Sequence, residues 1–152
     1  MWRELVEDLS QGAPRAGEGG LAGTEVWHRL YWQGAVFWLN AELVVDRRTH
    51  GQRSLHDALC SWARADGSGQ DWNAERAFAI MDQALGQPIL LELYRKASAG
   101  GIDQQPTQLL AELGAQVYGA GRDVRFSADA PAADLRQRMT TASPRPCVRQ
   151  LR

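Results

Sequence analysis

The chain has 152 residues, enough for one domain whose core needs neither metal nor disulfide for stability. Hydrophobic residues make up 44%, charged residues 23% and the formal net charge is −1, so the composition is globular and predicts no nucleic-acid partner. The longest apolar stretch, residues 35–45, is broken by Asn40 and Glu42 and predicts no membrane span, and the opening MWRELVEDLSQG lacks the features of a secretory leader.

The first half of the chain is expected to contain one short helix and one long one. Apolar residues at helical spacing predict a helix over residues 2–10, followed by a glycine-rich loop. Thr24 is expected to be the N-cap of a long helix that runs to about His50. The apolar residues of this helix wrap more than one face, as in a central helix. Gly34 inside this helix costs about 1 kcal/mol relative to alanine, which indicates close approach of another backbone or of a ligand.

Caps and helix breakers mark the remaining elements. Ser54, with Asp57 three residues later, resembles a capping box at the start of the next helix. Further helices are predicted to begin near Asn73, Pro88, Pro106 and Pro131. Alternation around a glycine turn predicts a small hairpin near residues 116–126. The expected fold is therefore a mainly α multi-helix bundle, with a single domain over residues 1–139 and a disordered tail over residues 140–152.

The cysteines and histidines do not by themselves predict a catalytic or metal site. Cys60 lies on the apolar side of a predicted helix and is interpreted as a buried thiol, although it and Cys147 are enough for one disulfide. His28, His50 and His56 are the only histidines, and no pair has the His-Glu-x-x-His spacing of a zinc helix. We expect His50 and His56 to be solvated beside a turn, and we assign neither cysteine a histidine partner.

Two segments carry a resemblance to a known family. Residues 31–62, YWQGAVFWLNAELVVDRRTHGQRSLHDALCSW, contain an aromatic pair, Gly-Ala, an apolar helix, Arg-Arg and Gly-x-x-Ser-Leu-x-Asp-Ala-Leu. This pattern closely resembles a segment of the glycyl aminopeptidase family, which belongs to the gluzincin (thermolysin-like) zinc metallopeptidases. Residues 109–139, LLAELGAQVYGAGRDVRFSADAPAADLRQRM, resemble the closing segment of that family. The resemblance thus covers most of residues 24–139.

The resemblance implies a role for Tyr31 and its neighbours. In such peptidases the matching tyrosine points at the metal centre and stabilises the oxyanion formed when water attacks the scissile carbonyl. By position this role belongs to Tyr31, and Trp32, Gly34 and His28 are expected to line the substrate cleft. The chain would then be the C-terminal helical half of the catalytic domain, with a peptide as substrate and the missing zinc-binding half-domain as partner.

One departure from the family pattern limits this interpretation. The His-Glu-x-x-His zinc helix and the glutamate ligand precede this segment in the family, and the chain contains no His-Glu-x-x-His. We therefore expect no cofactor in this chain, zinc only in a full-length parent, and no peptidase activity from residues 1–152 alone.

Two alternatives remain open at the level of sequence. In the first alternative, the chain is a stand-alone non-catalytic helical module that binds a peptide or partner helix beside Tyr31, Trp32 and Trp38. In the other, the resemblance is superficial and the chain is an ordinary helical bundle. The proposals of a fragment and of a module both predict exposed apolar surface, and with it homodimerisation. The sequence does not predict a compartment.

Overall fold

The computed structural model describes residues 27–65, 73–99, 105–118 and 123–141, together with Cys147. The predicted helix over residues 2–10, the glycine-rich loop and the Thr24 cap lie outside these residues. Of the predicted tail, Thr140 and Thr141 belong to the last helix, and Cys147 is the other described residue.

The described residues are mainly helical, as the sequence predicts. Six helices account for 70% of them, and two short strands form an antiparallel sheet. The helices are α1 (Trp27–Arg48), α2 (Leu55–Arg64), α3 (Ala74–Leu85), α4 (Ile89–Ser98), α5 (Pro106–Glu112) and α6 (Ala133–Thr141). The strands are β1 (Ala115–Tyr118) and β2 (Asp123–Phe126). Among these helices, none is both long enough and apolar enough to cross a lipid bilayer.

The chain divides into two compact units. The first unit comprises residues 1–40 and 96–141, and the second comprises residues 41–95 and 142–152. The division falls inside α1 and near the end of α4, so neither unit is continuous in sequence. The single domain over residues 1–139 stays a prediction.

The first unit is built around α5, the hairpin and α6. Leu109 and Leu113 are fully buried, and Gly114 then turns the chain from α5 into β1. β1 and β2 pair from Ala115 opposite Phe126 onward, which confirms the predicted hairpin. Arg136 of α6 donates hydrogen bonds to the carbonyls of Leu113 and Ser127, so α6 is tied to both ends of the hairpin.

The second unit buries apolar side chains from α1, α2, α3 and α4. Leu43, Val45, Ile89 and Leu90 are fully buried. The exposed Arg48 at the end of α1 pairs with Glu92 of α4 at 2.8 Å.

The predicted helix boundaries of this unit are confirmed by their caps. Asp57 Oδ2 accepts the backbone N–H of Ser54 at 3.0 Å, and Asn73 Oδ1 accepts that of Arg76 at 2.8 Å. Gly86 ends α3 in the left-handed conformation, with φ of 72°. Pro88 lies directly before α4. The polar caps at Ser54 and Asn73 and the glycine at position 86 thus correctly predicted the starts of α2 and α3 and the end of α3.

Candidate functional site

Tyr31 lies in the second turn of α1 with its side chain directed outward. The side chain is 67% exposed, and its hydroxyl makes no hydrogen bond to any described residue. The ring meets the edge of Trp32, with centroids 5.2 Å apart and ring planes at 87°. Such an edge-to-face contact restricts the ring. A phenol with no described hydrogen-bond partner is available to donate a hydrogen bond to another molecule.

Gly34 and Trp38 share this side of α1 with Tyr31. The three residues are spaced by three and then four positions, which places them on one face of a helix. Trp38 is 36% exposed, and Leu30 beside them is 41% exposed. A methyl group added at Gly34 would meet nothing within 4 Å. We call Leu30, Tyr31, Gly34 and Trp38 the Tyr31 face.

The inward side of the same helix supports the Tyr31 face. Trp32 is only 9% exposed and Val36 is fully buried, while Phe37 is 9% exposed and contacts Trp38 edge-on at 5.2 Å between centroids. Trp32 and Phe37 therefore pack inward while their sequence neighbours, Tyr31 and Trp38, remain exposed. This arrangement gives the exposed rings a fixed base.

The predicted site residues are thus only partly brought together. Tyr31 and Gly34 lie on one open face, whereas Trp32 is turned into the protein and supports Tyr31 from its side. The side chain of His28 lies outside the described part of the chain. The sequence alone did not distinguish the exposed Tyr31 from the buried Trp32, because both are aromatic and adjacent.

A second group of chemically active side chains was not predicted from the sequence. His56 Nε2 lies 3.4 Å from Cys60 Sγ on α2, and Cys60 forms a disulfide with Cys147. Cys60 is 4% exposed, His56 is half-buried and Cys147 is exposed. The Nε2 and the two sulfurs lie within 4.8 Å of one another, and this is the one such group of three found among the described residues. We call it the His56 cluster.

Three expectations about these residues are corrected by the structure. Cys60 is buried, but its sulfur is bonded to Cys147 and is not a free thiol. His56 is half-buried and not fully solvated, and Cys60 does have a histidine partner. The spacing of four residues between His56 and Cys60 was the available signal, since it places both side chains on one helix face. Cys147 gave no such signal, because it is 87 residues from Cys60.

The described residues do not form the zinc site that the family resemblance implies for a parent enzyme. His50 is exposed in the turn after α1, where its φ is 53°, and His56 belongs to the cluster with the cysteines. The sequence also contains no His-Glu-x-x-His.

Comparison of the chain with models of known protein families, with curated proteins and with solved structures finds no match.

Proposed function

We propose that the chain is the C-terminal helical portion of a metallopeptidase catalytic domain of the aminopeptidase type, and that it is inactive on its own. In that role it forms a wall of the substrate cleft and supplies Tyr31. The observation that carries the proposal is the 67% exposure of Tyr31 on an open helix face, together with the sequence pattern around it.

Tyr31 has the chemistry that this role requires. Its hydroxyl donates a hydrogen bond to the oxyanion of the tetrahedral intermediate in peptide hydrolysis. Such a bond is stronger in the transition state than in the ground state, because charge develops on that oxygen during the attack. The edge contact with the buried Trp32 keeps the ring oriented before substrate arrives, which lowers the cost of ordering it.

Gly34 has a matching role on the Tyr31 face. The space outside its Cα accepts the backbone of a peptide substrate or of the missing half-domain one turn from Tyr31. Glycine in a helix interior is less stable than alanine by about 1 kcal/mol, so an alanine here would be favoured if stability alone mattered. The proposal therefore places an approaching backbone at Gly34, where an added Cβ would meet nothing within 4 Å.

The first test is the intact mass of the native polypeptide in source cells, followed by hydrolysis of glycyl peptides. We expect a species well above 16.8 kDa that cleaves such peptides. In that polypeptide Tyr31→Phe should lower kcat by about 100- to 1,000-fold with little change in KM, because one oxyanion donor is removed.

Tyr118→Phe is the matched control. Tyr118 is also an exposed tyrosine, and its hydroxyl donates to Gln116 in the hairpin. This variant should keep full activity. Equal losses in both variants, or a native polypeptide of 16.8 kDa without peptidase activity, would overturn the proposal.

A second candidate function is a stand-alone, non-catalytic module that binds a peptide or partner helix through the Tyr31 face. The exposure of Leu30 and Trp38 beside Tyr31 favours it, because clustered apolar side chains at a surface favour association. In this case the chain alone should form homodimers, and Trp38→Gln should weaken them. Trp62→Gln is the control, since Trp62 is 38% exposed but lies on α2. Light scattering after size exclusion distinguishes these outcomes, and equal behaviour of the two variants would exclude the Tyr31 face as the binding surface.

A further inference from the structure

We propose that His56, Cys60 and Cys147 form a redox-controlled metal site, which the disulfide closes when oxidised and which binds Zn²⁺ when reduced. The site lies in the second unit and shares no residue with the Tyr31 face. The proposal therefore departs from the expectation that this chain holds no cofactor. It is independent of the proposed peptidase role, and each can be tested without the other.

The donor atoms match the chemistry of Zn²⁺. Thiolates are soft ligands and imidazole is a borderline one, and both suit Zn²⁺. The same set of two cysteines and one histidine binds zinc in some enzymes. Carboxylates and carbonyls, which calcium and magnesium require, are not among the three donors. Zn²⁺ is therefore the expected ion.

The distance between the His56 and Cys60 donor atoms allows both to bind the same metal ion. Ligands at about 2.3 Å for sulfur and about 2.0–2.1 Å for nitrogen, in tetrahedral geometry, lie about 3.5 Å apart. His56 Nε2 and Cys60 Sγ are 3.4 Å apart, and Nε2 is the ring nitrogen directed at the sulfur. These two ligands are thus already placed for one ion, and after reduction Cys147 Sγ needs only to move away from Cys60 Sγ.

Hydrogen bonds hold the first turn of α2, which carries His56. Asp57 Oδ2 accepts the backbone N–H of Ser54, and Glu42 Oε2 accepts that of Leu55 at 2.9 Å. His56 follows Leu55 directly, and Cys60 is one turn further along the same helix. Two ligands on a capped helix lose little freedom on metal binding.

The switch between the two states is a thiol–disulfide exchange with an external dithiol as reductant. A thiolate of the dithiol attacks the exposed Cys147 sulfur, the Cys60–Cys147 bond breaks, and Cys60 leaves with the electron pair as a thiolate beside His56. The second thiol of the dithiol then displaces Cys147, which yields the cyclic disulfide of the reductant and two protein thiols. Binding of Zn²⁺ releases the two thiol protons to solvent.

The three protein ligands leave the fourth position of a tetrahedral zinc for water or another small ligand. Sites with three protein ligands and one open position are typical of catalytic zinc, whereas closed structural sites use four. Thiol–disulfide exchange with an external disulfide would re-form the Cys60–Cys147 bond, reduce that disulfide to two thiols and release the ion. The redox state would therefore control occupancy.

The test is calorimetric titration of the full chain with Zn²⁺, with Co²⁺ absorption as a second readout. We expect the dithiol-reduced chain, freed of reductant under anaerobic conditions, to bind one equivalent of Zn²⁺. The oxidised chain should bind none. Reduced chain with Co²⁺ should give thiolate-to-metal charge-transfer absorption. A reduced chain that does not bind, or an oxidised chain that binds equally well, overturns the proposal.

Three variants assign the ligands. Cys147→Ser should weaken Zn²⁺ binding by more than about 100-fold, since even loss of an outer-shell partner costs about 10- to 100-fold. Because Cys147 is exposed, this variant leaves no cavity in the core, and it is compared with the reduced chain, which also lacks the disulfide. His56→Ala should also weaken binding, whereas His50→Asn should not, since Asn accepts the positive φ of His50. The assignment is contradicted if Cys147→Ser binds Zn²⁺ as tightly as the reduced original chain. It is also contradicted if His56→Ala and His50→Asn lose equal affinity for Zn²⁺.

Discussion

Asp82 is the residue on which the start of α4 depends. Its two carboxylate oxygens accept the backbone N–H groups of Leu90 and Leu91, at 2.7 and 3.0 Å, although Asp82 lies on α3. Pro88, just before α4, has no side-chain acceptor to offer as a cap. Asp82 is only 8% exposed, so these charge-assisted bonds face little competition from water.

Replacing Asp82 by alanine should lower the free energy of unfolding by about 3 kcal/mol, because the buried N–H of Leu90 and the half-buried N–H of Leu91 lose their acceptor. Urea denaturation followed by circular dichroism measures the change. Asp134→Ala is the control, since Asp134 is exposed in the first turn of α6 and should cost less than about 1 kcal/mol. Equal costs in the two variants would mean that Asp82 does not cap α4.

Gly86 and Gly114 show two different reasons why a position requires glycine, namely a left-handed backbone and a lack of room for a Cβ. Both have positive φ, 72° and 71°, but a Cβ at Gly86 would meet nothing within 4 Å, while at Gly114 it would lie 2.6 Å from Ala130 Cβ. Gly86→Ala should therefore cost only the left-handed strain, about 1–2 kcal/mol. Gly114→Ala should cost at least about 1 kcal/mol more, because the loop before α6 must also move. Thermal or urea unfolding of both variants tests this, and equal costs would show that the contact relaxes freely.

At the scale of elements, an exposed ion pair joins α3 to α4. Arg95 Nε lies 3.1 Å from Glu75 Oε1, and this hydrogen bond, with the charge of Arg95, holds the pKa of Glu75 below its ordinary value. A lowered carboxylate pKa contributes stability at pH above the ordinary value, and the contribution is lost as the pH falls through the lowered one. Since both side chains are more than half exposed, the contribution is small.

NMR titration of Glu75 checks this ion pair. The pKa of Glu75 should lie below the ordinary value of a glutamate in the original chain and should rise in Arg95→Gln. Salt at about 1 M should reduce the difference, because the Debye length is then about 3 Å. A Glu75 pKa that does not respond to Arg95→Gln would contradict the assignment.

For the whole molecule, the disulfide is the longest-range covalent constraint in the described residues. It joins Cys60 of α2 to Cys147 across 87 residues of sequence, and both cysteines belong to the second unit. A cross-link of this span removes much of the conformational entropy of the unfolded chain.

Reduction of the disulfide should lower the free energy of unfolding by about 2–4 kcal/mol when a chelator excludes metal. Cys147→Ser should have the same stability as the reduced chain and should not respond to reductant. Urea denaturation with and without dithiol measures both. A chain of unchanged stability on reduction would mean that the bridge adds no constraint in solution.

The sequence determined the features that depend on neighbouring residues. The helical spacing of apolar residues was sufficient to predict helices α1 to α4. The caps at Ser54 and Asn73 and the glycine at position 86 were sufficient to predict the starts of α2 and α3 and the end of α3. These signals act within about one helical turn, so they can be recognised without knowledge of the fold. The resemblance to a metallopeptidase segment is also a property of sequence, and the function that it implies stays a proposal.

Only the tertiary structure decided the features whose partners lie far apart or whose outcome depends on orientation. Asp82 caps a helix from another element, and Cys147 reaches Cys60 from 87 residues away. Tyr31 is exposed and Trp32 is buried, although both suit either position. Packing determines which side chain turns inward and which distant groups meet, because these outcomes depend on long-range contacts that local propensity does not encode.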